Sequence, residues 1–131
     1  MDWGDLSVAR YGPGALSSAT RGVCGGGNDD GLNTMDTFSL QSLGNAVDFG
    51  DMTQTKKFRS GASSLLRGVF AGGGSTAVNV IDYITIASAG AGTDFGDLTS
   101  ARYVMGSTSN GHGGLDIQDP NVRFAPTPGV W

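Results

Sequence analysis

The sequence predicts an all-β chain built from a repeated unit of four short antiparallel strands. Three observations lead there. The chain copies itself without gaps: Asp2-Trp3-Gly4-Asp5 returns as Asp48-Phe49-Gly50-Asp51 and again as Asp94-Phe95-Gly96-Asp97, and 48 − 2 and 94 − 48 are both 46. The most apolar run, Asn79 to Ile86, interleaves Val80, Tyr83 and Thr85 with Ile81, Ile84 and Ile86, a β-branched and aromatic density that favours a strand. Glycine supplies 23 of the 131 residues against 4 prolines, with no Gly-X-Y period, so the glycines read as turn and bulge positions.

The register fixes the elements in order. Arg21-Gly22-Val23 returns as Arg67-Gly68-Val69, Gly26-Gly27 as Gly72-Gly73, Asn33 as Asn79, Asp36 as Asp82 and Gly44 as Gly90. Strands are expected near 21–25, 33–40, 67–71, 79–86 and 101–106, with almost no helix. In the best-formed unit the four pieces are Arg67 to Gly74, Asn79 to Ile86, Thr93 to Thr99 and Ala101 to Ser107. Gly, Ser, Thr and Asn clusters separate them, as turns of a meander do. The only faintly helical segment, Ala62 to Arg67, is cut short by Gly68. The expected core is Val23, Phe38, Leu40, Phe49, Val69, Phe70, Ile81, Ile84, Ile86, Phe95 and Leu98. The matched aromatics Trp3, Phe49 and Phe95 suit packing between neighbouring units.

Four strands in about 46 residues is the size of one β-propeller blade. The repeats divide as 2–47, 48–93 and a partial 94–114, followed by divergent closing strands and a tail over 115–131. Leu115-Asp-Ile-Gln118 and Val122-Arg-Phe-Ala125 are the candidate closing strands. The small Gly-Gly strand suits the narrow space near a propeller axis. A length of 131 over a period of 46 gives about 2.8 repeats, whereas propellers typically close with about 4–8 blades. The chain also starts inside a unit, at the Trp3 strand. The expectation is about three blades per chain and a ring completed by oligomerisation, with a homodimer of six blades the simplest form.

The bulk numbers exclude several function classes. Net charge is −4, and the densest cationic run, Lys56-Lys57-Phe58-Arg59, reads as a solvated loop, so nucleic acid is not an expected partner. No apolar stretch approaches the ~18–20 residues of a membrane helix, so no membrane insertion is expected. The amino terminus has neither the basic nor the apolar region of a signal peptide. Cys24 is the only cysteine and its repeat counterpart is Phe70, which marks it as a small buried residue rather than a nucleophile.

The Asp-aromatic-Gly-Asp motif offers paired carboxylates for Ca²⁺, or turn-making and edge hydrogen bonds kept in every unit. Gly25-Gly-Gly-Asn-Asp-Asp30 and Ala71-Gly-Gly-Gly-Ser75 lack the Gly-Lys-Ser/Thr ending of a phosphate loop. His112 is the sole histidine, without ligand or triad partners at useful spacing. No catalytic, cofactor or metal residue is expected, and the chain reads as a non-enzyme. The candidate ligand or interface residues are Trp3, Tyr11, Arg21, Arg67, Tyr103 and Trp131. Arg21 and Arg67 precede the Gly-Gly strand in two units and suit binding of sheet-edge carbonyls or a neighbouring Asp.

Gly72-Gly73, Tyr83, Phe95, Leu98 and Arg102 fall in the order of the kelch repeat, which this unit resembles. In the preceding unit the positions are Gly26-Gly27, Thr37, Phe49, Met52 and Lys56, with Thr37 where the motif has Tyr. The run from Asn79 to Tyr103 is similar to repeats in virion-associated proteins of tailed phages, notably cyanobacterial ones. The resemblance covers 2–114 and implies a non-enzymatic structural or host-recognition role on a phage particle or tail fibre. It implies copies of itself and other virion proteins as partners, and a chain made in the host cytoplasm and carried on the virion. The alternative is a carbohydrate-binding module reading host surface glycans, for which Tyr11, Tyr103 and Asp29-Asp30 are the candidates.

Overall fold

The computed structural model describes residues 1–28 and 31–109. Within them the chain forms eight strands and no helix: β1 (Gly14–Ser17), β2 (Arg21–Gly25), β3 (Thr34–Ser39), β4 (Val47–Asp51), β5 (Ser60–Ser63), β6 (Arg67–Ala71), β7 (Val78–Thr85) and β8 (Thr93–Arg102). They build two four-stranded antiparallel meanders, β1-β2-β3-β4 (sheet 1) and β5-β6-β7-β8 (sheet 2). The expected strands 21–25 and 67–71 match β2 and β6, while 33–40 and 79–86 are β3 and β7 with shifted ends. Thr93 to Thr99 and Ala101 onward are one continuous strand that stops at Arg102, so the strand expected over 101–106 is corrected. The fourth strand of each sheet comes from the Ser- and Gly-rich segments β1 and β5 instead, where small residues hid the strand pattern.

The sheets are built to one register. Gly14 pairs with Gly25 as Ser60 pairs with Ala71, and Cys24 pairs with Asp36 as Phe70 pairs with Asp82. Each third strand shifts register at the same place, between Met35 and Asp36 and between Ile81 and Asp82. The inter-sheet contact runs along β1 against β5 and β6. The first strand of each sheet, not the Gly-Gly strand, therefore occupies the narrow place between units. A Cβ on Gly61 would fall onto the Ala15 carbonyl, so only glycine lets β5 come this close to β1. Ser63 Oγ donates to the Ser17 carbonyl at 2.8 Å, one full repeat away.

The same step occurs again beyond sheet 2. The Phe58 N–H donates to the Gly12 carbonyl at 2.6 Å, and the Val104 N–H donates to the Phe58 carbonyl at 3.2 Å. Gly12, Phe58 and Val104 all hold left-handed backbone, with φ of 66°, 55° and 54°. Ser107 Oγ then donates to the Gly61 carbonyl at 2.5 Å, again one repeat away. These corners form a column in which each unit rests on the one before.

The core lies between the sheets. Sheet 1 contributes Leu16, Val23, Met35 and Phe49, followed by Met52, and sheet 2 contributes Phe70, Ile84 and Ile86. Phe49 is 2% exposed, but its counterparts Trp3 and Phe95 are 46% and 56% exposed. Leu40 is likewise 42% exposed where its counterpart Ile86 is 1%. The expectations for Phe95 and Leu40 are thus corrected, and Phe38, Val69, Ile81 and Leu98 are only half-buried. The reason is position: a residue is buried where a sheet lies on each side of it, and these face outward.

Candidate functional site

The most strongly organised polar groups are two buried carboxylates. Asp36 and Asp82 are 1% and 0% exposed, and a carboxylate so placed needs charge and hydrogen-bond partners. Asp36 accepts from the Ser7 N–H at 2.9 Å and from Ser7 Oγ at 2.5 Å. Asp82 accepts from the Thr53 N–H at 3.3 Å and from Thr53 Oγ1 at 2.5 Å. A guanidinium completes each set: Arg10 Nη2 lies 3.3 Å from Asp36 Oδ2, and Arg59 Nη1 lies 2.7 Å from Asp82 Oδ2. Each arginine also donates to the first glycine after its Gly-Gly strand begins to turn, Arg10 to the Gly26 carbonyl at 3.2 Å and Arg59 to the Gly72 carbonyl at 2.9 Å. The clamp pins the segment before each first strand onto the second and third strands of the same sheet.

Sequence reasoning missed this clamp. Asp36 and Asp82 repeat in register, as do Ser7 and Thr53, and that recurrence was the available signal. The arginines do not repeat: the counterpart of Arg10 is Lys56, and the counterpart of Arg59 is Pro13. The unit-two cation of the clamp is therefore Arg59 and not the motif-aligned Lys56. Two different loop paths bring a guanidinium to the same place.

The expected turn role of the Asp-aromatic-Gly-Asp motif is corrected: the second and third copies lie inside β4 and β8, at the register shifts against β3 and β7. The first Asp of each accepts from the N–H two residues on: Asp2 from Gly4 at 3.1 Å, Asp48 from Gly50 at 2.9 Å and Asp94 from Gly96 at 3.0 Å. Among the described residues no three His, Cys, Asp or Glu side chains gather as a metal would need. Burial pushes the Cys24 thiol above its ordinary range; Arg10 pulls it back down and Asp36 pushes it further up. A thiol held protonated in this way is a poor nucleophile.

The candidate residues do not share one cleft. Arg21 reaches across the sheet junction and donates from Nη1 to the Ile86 carbonyl at 2.9 Å, as expected of a residue binding sheet-edge carbonyls. Arg67, its counterpart, lies 4.7 Å over the Tyr83 ring. Trp3 donates from Nε1 to the Ser39 carbonyl at 3.3 Å. Tyr11 and Tyr103 are 48% and 49% exposed, and Lys57 sits 5.4 Å over the Tyr11 ring. Trp131, His112, Asp29-Asp30 and the closing strands expected in 115–131 lie outside the described residues. Two shallow clefts border the junction and the open side of sheet 1. The first, about 310 Å³, lies between Ser18, Thr20 and Arg21 of sheet 1 and Leu65, Ile86 and Ala87. The second, about 260 Å³, is lined by Trp3, Asp5, Leu6, Phe38 and Ala46.

No family model matches the chain, and no curated protein matches it. The buried ion pairs hold segments onto their own sheet, while Arg21 and Ser63 bond across the junction between sheets. The recurrent carboxylates Asp36 and Asp82, and Asp2, Asp48 and Asp94, are hydrogen-bonded within the fold.

Proposed function

We propose that the chain is a non-enzymatic structural or adhesion component of a phage particle, made of kelch-like propeller blades and acting through protein–protein contacts. The observation that supports it best is the step between units, seen in the Gly12–Phe58–Val104 column, where the same backbone bond is made twice in register. Units added by one constant step, joined along their first strands, build a ring or a stack. The placement on a phage rests on the sequence resemblance of the Asn79 to Tyr103 run. Exposed aromatics at the outward faces suit a protein that works by docking.

Mass spectrometry and antibody labelling of purified particles test this reading. The expected result is the chain at a fixed copy number per particle, at one location. A chain present in infected cells but absent from purified particles would overturn it. A glycan array on the same protein separates adhesion to host sugars from a purely structural role.

A further inference from the structure

We infer that a second copy of this chain docks head to tail, with β1 of one copy seated on residues 104–109 of the other. The inference rests on the propeller reading, because it extends the step between units across a chain boundary. Within the chain this step is made twice. The 58–63 segment rests on the 12–17 segment through Phe58 to Gly12 and Ser63 to Ser17. The 104–109 segment rests on the 58–63 segment through Val104 to Phe58 and Ser107 to Gly61.

Each column end is open among the described residues. Ala15 is exposed on the near side, and Val104 is 68% exposed on the far side. The two ends are the free counterparts of surfaces that meet inside the chain: Ala15 stands where Gly61 and Ser107 stand, and the seating of Ser107 on Gly61 shows that this place takes a side chain. Val104 stands to a second copy's Gly12 as Phe58 stands to Val104 and as Gly12 stands to Phe58. In the assembly the Gly12 N–H donates to the Val104 carbonyl of the neighbouring copy. Thr108 occupies the position of Leu16, whose side chain packs on Gly68 of the next sheet, and so comes against the Phe38 ring that covers Gly22 of the neighbour. The apolar residues on the same side of sheet 1, Trp3, Phe38 and Leu40, are then covered as Phe49, Ile84 and Ile86 are covered inside the chain. Two copies supply six steps of the column, within the range of about 4–8 units that close a ring. A head-to-tail contact uses different surfaces on its two sides, unlike a face-to-face dimer.

That difference makes the test specific. Ala15→Arg blocks the near end and Thr108→Arg blocks the far end, both at exposed positions. The full-length wild type should run at a multiple of 13.3 kDa by light scattering. Each variant alone should fall to the monomer mass with unchanged circular dichroism. Mixed together they retain one good junction and should form a 1:1 complex at about twice the chain mass. A monomeric wild type, a variant that assembles like wild type, or a mixture that stays monomeric would each overturn the inference. Monomers in the mixture would point instead to residues 110–131 of the same chain as the cover of the far end. Gly61→Val provides the separate check on stacking inside one chain, and it should lower the denaturation midpoint of a monomeric variant. A neutral Gly61→Val would sink the propeller reading itself, whereas a destabilising one beside a monomeric wild type would sink only the contact between copies.

Discussion

Phe49 and Phe95 hold the same place in the repeat, but only Phe49 has a sheet on both sides. Removing the Phe49 ring empties a closed core site, so Phe49→Ala should lower stability by about 3–5 kcal/mol in urea unfolding. Phe95 is more than half exposed in the chain, and Phe95→Ala should cost under about 1 kcal/mol. Equal losses would contradict the assignment of inner and outer faces. The buried clamp gives a second contrast. Asp82→Ala strips Arg59 of its charge partner in a site where both side chains are 0% exposed, and should cost about 3–5 kcal/mol.

Cys24 adds a pH signature at the same scale. Its thiol is raised in the folded chain, chiefly by burial, with Arg10 opposing. The unfolded thiol ionises first as the pH climbs. The stability linked to this group is therefore fully present below the ordinary thiol value and is lost above it, toward the folded value. Urea melts from neutral pH to about pH 10 should show the wild type losing stability relative to Cys24→Ala. Parallel curves would contradict a buried thiol. Native Cys24 should also react slowly with iodoacetamide at neutral pH, and rapidly once urea unfolds the chain.

At the scale of elements, the residues with a fixed period were readable and those without one were not. The apolar alternation of β7 and the Arg-Gly-Val starts of β2 and β6 placed three strands closely. β1 and β5 were invisible as strands because, apart from Leu16, Gly14-Ala-Leu-Ser17 and Ser60-Gly-Ala-Ser63 are small residues that suit close approach rather than strand propensity. β8 was divided in two because its Gly, Ser and Thr residues read as punctuation, although hydrogen bonding to β7 carries it through to Arg102. The Asp-aromatic-Gly-Asp motif reads as a turn from its Asp and Gly, but it lies inside β4 and β8, where it accompanies a register shift rather than a chain reversal. The Arg10 and Arg59 clamps were hidden by their unequal loop paths.

The glycine of that motif makes a graded prediction. Gly50 and Gly96 both hold positive φ, 138° and 145°, where a side chain is strained. A Cβ on Gly96 meets nothing within 4 Å, but one on Gly50 falls onto the Gly90 carbonyl. Gly96→Ala should cost about 1–3 kcal/mol from backbone strain alone. Gly50→Ala should cost clearly more, because the 90–92 loop must also move. A smaller loss at Gly50 than at Gly96 in chemical unfolding would contradict the packing of β4 against that loop.

For the whole molecule, what matters is that burial follows repeat position and not residue type. Trp3 and Leu40 are as apolar as their buried counterparts Phe49 and Ile86, yet they lie open on one side of sheet 1. Composition predicts their burial, and the count of sheets around them denies it within the described chain. The proposed contact between copies would place a further unit on that side, seated by the same step as Gly12, Phe58 and Val104. Salt should weaken the proposed assembly little, since the contact inferred for it consists of backbone hydrogen bonds and apolar area rather than exposed ion pairs. The most direct test is the native mass of the full chain, followed by light scattering through a dilution series down to low micromolar concentration. The account predicts a discrete assembly at a multiple of 13.3 kDa, two copies in its simplest form. A compact monomer that persists throughout the series would contradict it.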